Sequence, residues 1–452
     1  MAADAPDANE PLQGFDDLLR PFHAAETPRM GWRIGTEAEK FGVGGDGRAA
    51  PFEGERGVRA VLERLVERHG WHEQREWEGG EVIALHRGRA NITLEPGAQL
   101  ELSGAPLDTI HQTCAEFRGH MAELRSVSED LGLHWLGLGF HPLATQDELP
   151  WVPKLRYAVM REYLPTRGGH ALDMMRRTCT VQANLDYADV EDAFRKLRVA
   201  LRLQPIVTAM FANSPWVEGR ATGERTHRAR VWLDVDPNRQ GLLRALWEGP
   251  ARYERYVEWA LDVPMFLVKR GGEIHRNTHQ TFRQFMDEGL GELRATRGDW
   301  ETHLNTLFPE ARLKKTLEVR GVDSQRTAMI CALPALWKGL LYDEATSAKA
   351  EALAGRVDGD ALEAARPEIA KSALRAELQG RPVLAWAREV LELAESGLER
   401  LGNLNGSGDD ERVHLAPLRA LLERGLCPAD VLLEQVPGDE PALEGILEHA
   451  HV

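Results

Sequence analysis

Residues 32–43 read WRIGTEAEKFGV, and their pattern predicts a β-strand with two unlike faces. Successive side chains of a strand point to opposite faces, so Glu37 and Glu39 share one face while Ala38 lies on the other. Two carboxylates at this spacing lie about 7 Å apart, close enough to bind one or two hard cations between them. An isolated pair of this kind is more often a solvated strand face, so the interpretation depends on the rest of the chain.

Further glutamates occur in two other segments that predict strands. Residues 82–104 read VIALHRGRANITLEPGAQLELSG, a pattern of short strands in which a Pro-Gly turn is flanked by Glu95 and Glu101. Residues 316–323 read TLEVRGVD, a strand in which Glu318 interrupts an apolar run. An acidic side chain facing a sheet interior costs free energy unless it is paired or bound to a metal. The glutamates together therefore predict a magnesium site.

Basic residues form a second set of candidates. Its members are Lys154, Arg156, Arg161, Arg176, Arg177, Arg225, Arg228 and Arg230. Arginine suits bidentate recognition of carboxylate and phosphate, so a basic set facing the acidic set would clamp nucleotide phosphates through magnesium. Arginines on a solvated surface would give the same pattern. The chain has neither GxxxxGKS/T nor GxGxxG after a strand, so ATP must be held in another way.

Composition limits the class of protein. The 452 residues carry a formal net charge of −16, which disfavours nucleic acid and anionic membranes as partners. Four cysteines, none in a CxxC pair, indicate a reducing compartment and exclude a zinc ribbon or a disulfide framework. The N-terminal residues MAADAPDANEP do not resemble a secretory signal, and no apolar run approaches the roughly 20 residues that cross a bilayer. We therefore expect a soluble cytoplasmic protein with no nucleic-acid or membrane partner.

Strand and helix patterns are mixed along the chain without a regular βαβ rhythm. Strand patterns recur at 134–140, 178–187, 230–235 and 265–270, and helical spacing separates several of them. This arrangement predicts an α+β fold with an antiparallel sheet instead of a doubly wound parallel sheet. The predicted divisions are a disordered N-terminus at 1–12, a catalytic domain at 13–345 and a helical C-terminal region at 346–452.

Several long motifs of the chain, in the same order, resemble those of the plant and proteobacterial branch of glutamate–cysteine ligase. They are IGTEAEKFGV, LEPGAQLELSGAPL, GLGFHP, MMRRTCTVQANLDY, VWLDVDPNRQG and FPEARLKKTLEVRGVD. The resemblance covers roughly residues 30–345. This family belongs to the glutamine synthetase-like carboxylate–amine ligases, which implies a curved, mainly antiparallel sheet that forms an active-site funnel flanked by helices.

The resemblance also implies a reaction, the first step of glutathione synthesis. L-Glutamate, L-cysteine and ATP would give γ-glutamylcysteine, ADP and phosphate, with Mg²⁺ as cofactor and ATP as co-substrate. The γ-carboxylate of glutamate would attack the γ-phosphate of ATP, and the cysteine amine would then displace phosphate from the γ-glutamyl phosphate. Both steps crowd negative charge together, and magnesium and arginine neutralise that charge.

Matching the motifs position by position implies roles for individual residues. The metal ligands would be Glu37, Glu39, Glu95, Glu101 and Glu318, with Gln182 a weaker candidate. The residues that receive the glutamate substrate would be Arg228, Trp232 and Thr180. Arg320 and Arg177 would act on the transferring phosphate, and Lys154 and Arg156 would contact the nucleotide.

Cysteines and one aromatic residue mark where the chain matches the plant members and where it departs from them. One of the two redox-sensitive disulfides of those members joins positions that match Cys114 and Cys331, which makes this pair a candidate redox switch; two buried thiols are the alternative. The second disulfide would lie in 272–292, where the chain has no cysteine. Phe266 stands where plant members tend to have tyrosine. A homodimer is compatible with the sequence but cannot be derived from it.

Three other functions remain open at this point. A related ligase, for example of the actinobacterial branch that serves ergothioneine synthesis, would join glutamate to a different amine. A catalytically silent paralogue would bind ligands without turnover, although none of the predicted carboxylates is missing. A metal-dependent phosphohydrolase would use the same carboxylates, but it would not need so many arginines that recognise amino acids.

Overall fold

The computed structural model describes residues 8–77 and 79–452 as a mixture of helices and strands. The helices are α1 (Phe15–His23), α2 (Val58–His69), α3 (Ile110–Ser128), α4 (Leu155–Tyr163), α5 (Ala171–Arg177), α6 (Val190–Met210), α7 (His227–Val231), α8 (Tyr253–Leu261), α9 (Phe282–Glu288), α10 (Arg297–Leu304), α11 (Thr327–Ile330), α12 (Ala332–Leu341), α13 (Glu344–Gly355), α14 (Gly359–Ser372), α15 (Val383–Leu401), α16 (Ala416–Arg424), α17 (Pro428–Gln435) and α18 (Leu443–His449). The strands are β1 (Ile34–Gly44), β2 (His72–Arg75), β3 (Val82–Arg87), β4 (Ala90–Leu94), β5 (Leu100–Ser103), β6 (Leu133–Leu136), β7 (Thr180–Leu185), β8 (Trp216–Val217), β9 (Arg220–Ala221), β10 (Gln240–Gly241), β11 (Leu267–Arg270), β12 (Glu273–Arg276), β13 (Phe308–Pro309), β14 (Ala311–Leu313), β15 (Leu317–Asp323), β16 (Glu377–Leu378) and β17 (Arg381–Pro382).

The strand β1, formed by the WRIGTEAEKFGV segment, lies in the middle of the main sheet. The strand order is β14-β15-β7-β1-β5-β4-β3-β2, and β6 pairs with the C-terminal part of β1. All of these strand pairs are antiparallel. The sheet is open, with β14 and β2 at its edges. The predicted α+β fold with an antiparallel sheet is therefore confirmed.

Helices from both halves of the chain pack against this sheet. The long helix α6 lies on β14 and β15, while α12 contacts β7 and β1. The crossing of α12 and α15 is very close, because a Cβ atom on Gly397 would lie 1.8 Å from the carbonyl oxygen of Gly339. Through α15 the helical C-terminal region joins the same apolar core as the sheet. In the part of the chain that the structure describes, no helix is long and apolar enough to span a membrane.

The start of the described chain differs from the disorder expected for residues 1–12. The backbone amide of Leu12 donates to the carbonyl of Ala295 at 3.0 Å, and the amide of Gly298 donates to the carbonyl of Ala8 at 2.9 Å. Backbone hydrogen bonds thus tie residues 8–12 to the start of α10, which their small and polar side chains did not indicate. Residues 1–7 lie outside the described residues.

The strand predicted at 230–235 is wrong, because this segment begins inside α7 and continues as turns. Thr226 caps α7, since its hydroxyl accepts a hydrogen bond from the amide of Ala229 at 3.1 Å. A cap of this kind satisfies an amide that the first helical turn leaves free, and it overrides the alternating apolar pattern. As a result Arg228 and Trp232 are presented by a short helix and its end.

The buried histidine of α10 should make the free energy of unfolding depend on pH. His303 is 2% exposed, and one of its ring nitrogens bonds to the carbonyl of Ala260 at 2.8 Å. Burial lowers the pKa of His303 from 6.5 to about 3, so below pH 6.5 the unfolded chain takes up a proton that the folded chain refuses. The free energy of unfolding therefore falls as the pH falls from 6.5 towards 3, by about 1.4 kcal/mol per pH unit for this group.

The variant His303→Gln tests this expectation, because glutamine keeps a donor for the Ala260 carbonyl and does not titrate. The melting temperature of the variant should fall less between pH 7 and pH 5 than that of the unchanged protein, as followed by circular dichroism. Equal shifts in the two proteins would show that His303 does not carry the effect.

Candidate active site

The strand register places the predicted glutamates on one face of the sheet. Glu39 on β1 lies opposite Glu101 on β5, and Glu37 lies opposite Gln182 on β7. Glu318 on β15 lies opposite the residue two positions after Gln182, which shares the same face. Directly opposite residues of an antiparallel pair point to the same side, so four neighbouring strands contribute to a single polar surface. We call this surface the carboxylate face.

Backbone and amide donors hold the two glutamates of β1. The amide of Thr180 donates to a carboxylate oxygen of Glu39 at 2.9 Å. The side-chain amide of Asn184 donates to Glu37 at 2.8 Å. Each carboxylate is thereby fixed by the strand next to it, and Asn184 is a member of the carboxylate face that the sequence patterns did not single out.

Glu101 is held in a similar way from its other side. The hydroxyls of Thr93 and Ser103 both donate to the same oxygen, Oε1, and the bond from Thr93 measures 3.0 Å. Glu101 is 7% exposed, and Glu39 is 8% exposed. Two nearly buried carboxylates therefore stand directly opposite each other with only neutral donors bound to them.

Burial and mutual repulsion change the acidity of these groups. Desolvation, together with the charges of Glu101 and Glu318, raises the pKa of Glu37 to about 8. Burial also raises the pKa of Glu39 well above its usual value of 4.5, with Glu95 and Glu101 adding to the rise. Glu101 shifts in the same direction. Without a cation, this part of the site retains protons near neutral pH.

Oxygen donors of this kind match the preference of magnesium, and a bound cation would take the place of the retained protons. The amide oxygen Oε1 of Gln182 is buried on the same face and has no hydrogen-bond partner within the described ranges, which leaves it free for a ligand. The donor chemistry therefore fits a hard cation. Among residues 8–77 and 79–452, however, no three His, Cys, Asp or Glu side chains already converge as a metal cage.

Glu318 differs from the other glutamates because it is paired with cations. Arg312, directly opposite on β14, donates to both of its oxygens at 2.6 and 3.0 Å. Lys314 lies 3.8 Å away and Arg320 3.5 Å away. These charges outweigh burial and hold the pKa of Glu318 well below its usual value. Arg312 and Lys314 are not among the predicted site residues, because β14 is only three residues long and gives too weak an alternation to assign a face.

The turn between β4 and β5 brings Glu95 close to the predicted nucleotide contacts. Lys154 precedes α4, and its ammonium donates to the carbonyl of Leu94 at 2.7 Å. Burial lowers the pKa of Lys154 to about 8, against the opposing attraction of Glu95 and Glu101. Arg156 donates to the hydroxyl of Tyr157, which itself donates to the Leu94 carbonyl. The structure thus brings Glu95, Lys154 and Arg156 together at one edge of the carboxylate face.

A pocket of arginine and aromatic side chains lies at the opposite edge. Arg228 is 3% exposed and donates to the backbone carbonyl of Arg320 at 3.0 Å. The guanidinium carbons of Arg228 and Arg320 lie 5.5 and 5.8 Å from the ring centre of Trp232. Nε of Arg228 and Nε1 of Trp232 are buried without a hydrogen-bond partner in the part of the chain described. Unused buried donors next to two positive charges are suited to an anionic ligand.

Arg177 and Thr180, two of the predicted site residues, form hydrogen bonds with other parts of the protein. Arg177 donates to Asp173 at 3.3 Å and to Glu218 at 3.1 Å, and it lies 4.7 Å above the ring of Phe140. The hydroxyl of Thr180 donates to the carbonyl of Val322 at 2.7 Å. The side chain of Thr180 therefore joins β7 to β15, and only its backbone amide serves the carboxylate face. Substrate contact by this side chain stays a prediction.

The two cysteines singled out in the sequence lie on different helical elements and are brought together by the fold. Cys114 of α3 and Cys331, between α11 and α12, form a disulfide with Cα atoms 5.9 Å apart. Nδ1 of His414, from the C-terminal region, lies 3.3 Å from the sulfur of Cys114. The remaining cysteines, Cys179 and Cys427, are buried free thiols.

Comparison with known proteins identifies the same family over almost the whole chain. The model described as Glutamate-cysteine ligase family 2 matches residues 33–449. Glutamate–cysteine ligase B, chloroplastic, of Oryza sativa subsp. japonica is 42% identical over 428 residues, which are 94% of this chain and 84% of that protein. The chloroplastic glutamate–cysteine ligase of Brassica juncea is 41% identical over 436 residues, 96% of this chain and 82% of that protein.

Solved structures agree on the fold. The crystal structure of a glutamate–cysteine ligase from Francisella tularensis in complex with AMP has a TM-score of 0.56 to this chain. It is 13% identical in sequence and covers 93% of this chain and 87% of its own. At this identity the comparison supports the architecture and no more.

The expected cytoplasmic location is contradicted by the plant relatives, which are named chloroplastic. The expectation rested on few cysteines and on a first segment unlike a secretory signal. Low cysteine content indicates a reducing compartment without saying which one, so it does not support the cytoplasm over an organelle.

The family match and the sequence identities agree with the motifs noted in the sequence and with the carboxylate face that those motifs form. The relatives cover more than nine-tenths of the chain, and the chain covers more than four-fifths of each relative. The chain belongs to glutamate–cysteine ligase family 2 and is an enzyme of that family.

Proposed function

We propose that the protein joins the γ-carboxylate of L-glutamate to the amine of L-cysteine, with ATP and Mg²⁺, through a γ-glutamyl phosphate. The observation that carries the proposal is the carboxylate face, on which Glu37, Glu39 and Glu101 stand beside an arginine pocket. A site with clustered acids on one side and buried arginines on the other suits a reaction among several anions. The relatives named as glutamate–cysteine ligases support the same substrates.

Three glutamates of the carboxylate face are the proposed magnesium ligands. Glu37, Glu39 and Glu101 have raised pKa values because no cation balances them, and a bound magnesium would take the place of the protons that they retain. Magnesium held there would neutralise phosphate charge during transfer. Gln182 supplies an additional neutral oxygen. Glu318 is a less direct ligand, because Arg312 already bonds to both of its oxygens.

The remaining residues divide between the two ends of the site. Arg228 and Trp232 offer unused buried donors and are proposed to receive a carboxylate of glutamate. Arg320 stands between that pocket and Glu318, where its charge would meet the transferring phosphate. Lys154 and Arg156, beside Glu95, are proposed to hold the nucleotide phosphates. Arg177, which has two unused buried nitrogens, is a further candidate for a phosphate contact.

A coupled assay with glutamate, ATP and a panel of amines tests the proposed reaction. We expect ADP formation that depends on both glutamate and cysteine, together with stoichiometric γ-glutamylcysteine identified by mass spectrometry. ADP formation without an amide would refute ligation and indicate a phosphohydrolase. A strong preference for another amine would keep the ligase chemistry and replace cysteine as the acceptor.

Replacing one residue that is proposed to bind the metal should lower turnover while the protein still folds. Glu37→Gln keeps the hydrogen bond to Asn184 possible but removes a negative charge, so we expect kcat to fall about a hundredfold or more at saturating Mg²⁺. Glu116→Gln is the matched control, because Glu116 is also partly buried with a raised pKa but lies on α3. Near-normal ATP turnover by Glu37→Gln would contradict the assignment of Glu37 to the metal.

The disulfide between Cys114 and Cys331 is proposed to be a redox-active pair. It closes a loop between residues 217 positions apart, so opening it should lower the free energy of unfolding by about 2–4 kcal/mol. Incubation with a thiol reductant should therefore lower the melting temperature. The variant Cys114→Ser should already melt at the lower temperature and should not respond to the reductant; a further reductant-dependent shift would exclude this pair as its cause.

A further inference from the structure

Asp323, the last residue of β15, is a fully buried carboxylate that the proposed chemistry does not use. Its side chain is 0% exposed. One oxygen, Oδ2, accepts from the backbone amide of Asn213 at 2.6 Å and from the hydroxyl of Ser214 at 2.7 Å. The other, Oδ1, accepts from the hydroxyl of Thr226 at 2.8 Å. A carboxylate is costly to bury, and these three donors offset that cost.

The hydrogen bonds between Asp323 and its two hydroxyl partners can run in only one direction. An ionised carboxylate can only accept, so both hydroxyls must donate to it and turn their lone pairs outward. The lone pair of Ser214 then accepts from the backbone amide of Arg228 at 3.2 Å. That of Thr226 accepts from the amide of Ala229 at 3.1 Å. The charge on Asp323 thus makes both hydroxyl oxygens acceptors for the backbone amides at the start of α7.

The helix α7 depends on these caps because it has only five residues. A helix this short is not stable by itself, since nucleation costs more than one turn of hydrogen bonds returns. Arg228 is the second residue of α7, and its side chain reaches the backbone of Arg320 from there. The orientation of Arg228 is therefore determined by the groups that hold the start of the helix.

The surroundings leave Asp323 little room to move. A Cβ atom on Gly139 would lie 2.2 Å from the carboxyl carbon of Asp323, so the backbone after β6 packs directly against it. The amide of Gly139 also donates to the carbonyl of Asn213 at 3.1 Å. Asp323 consequently joins β15, the segment after β6 and the start of α7 at a single point.

We propose that Asp323 is the positioning residue for Arg228, acting through the hydroxyls of Ser214 and Thr226. The inference rests on the proposed function, in which Arg228 receives a carboxylate of glutamate. Asp323 itself need not touch the substrate. Its carboxylate orients two hydroxyls, the hydroxyls hold the first amides of α7, and the helix presents the guanidinium.

The first test compares Asp323→Asn with the unchanged enzyme in the ligase assay. Asparagine keeps the shape but places an amide donor against donors, which breaks at least one of the caps. We expect the KM for glutamate to rise about tenfold, with kcat and the KM for ATP changed by much less. Thr226→Val should have a similar effect, and Thr226→Ser, which retains the hydroxyl, should restore the normal KM.

Asp192→Asn is the control, because Asp192 is also a buried carboxylate that accepts from a backbone amide, at the start of α6, and differs in its additional ion pair with Lys196 at 2.8 Å. It should leave the KM for glutamate unchanged. An equal rise in the control would mean that any buried cap has this effect, which would overturn the proposal. If Asp323→Asn does not fold, as judged by circular dichroism, Thr226→Val and Thr226→Ser decide the question.

A double variant distinguishes positioning from general weakening. With Arg228 changed to lysine, the guanidinium that Asp323 positions is gone, so adding Asp323→Asn should raise the KM for glutamate no further. Fully additive effects would overturn the proposal. Absence of amide formation by the unchanged enzyme would instead refute the proposed function. A normal KM for glutamate in Arg228→Lys would show that Arg228 does not bind the carboxylate of glutamate.

Discussion

The burial of three neighbouring carboxylates governs the rest of the site. The register of β1 with β5 and β7 forces Glu37, Glu39 and Glu101 onto one face. Neutral donors bind each of them, and desolvation followed by repulsion from neighbouring carboxylates raises their pKa values. A fold that retains such a cluster needs protons or a cation in it.

The protein separates this acidic cluster from its cations by strand position. Arg312 and Lys314 lie at the sheet edge and neutralise Glu318, whereas among the described residues no cation forms an ion pair with the central glutamates of β1 and β5. Arg228 and Arg320 stand beyond Glu318, around Trp232. The sheet therefore places its unpaired carboxyl groups at the centre and its cationic side chains towards one edge.

The fold class and the acidic half of the site could be predicted because they depend on local patterns. A period of two places Glu37 and Glu39 on one face, and a turn signal places Glu95 next to Glu101. The segment 230–235 also alternates, yet it belongs to a helix and turns. Its conformation is decided by Thr226 and by Asp323, which is almost a hundred positions away, and no local pattern contains such contacts.

The basic half was harder to predict for the same reason. Arg312 belongs to a strand of three residues, which is too short for a convincing alternation. Its place opposite Glu318 becomes clear only when β14 is paired with β15. For Thr180, in contrast, a motif suggested a role in the site and the structure shows a contact between strands. Its position in a family motif suggested substrate contact, but its hydroxyl joins two strands.

Diffraction from crystals grown with Mn²⁺ and a nonhydrolysable ATP analogue would show whether Glu37, Glu39 and Glu101 hold a divalent cation. Anomalous scattering locates manganese without ambiguity, and manganese accepts the oxygen ligands of magnesium. We expect an anomalous peak coordinated by oxygens of these glutamates. Manganese bound only to the nucleotide or to other side chains, with all three glutamates uncoordinated, would contradict it.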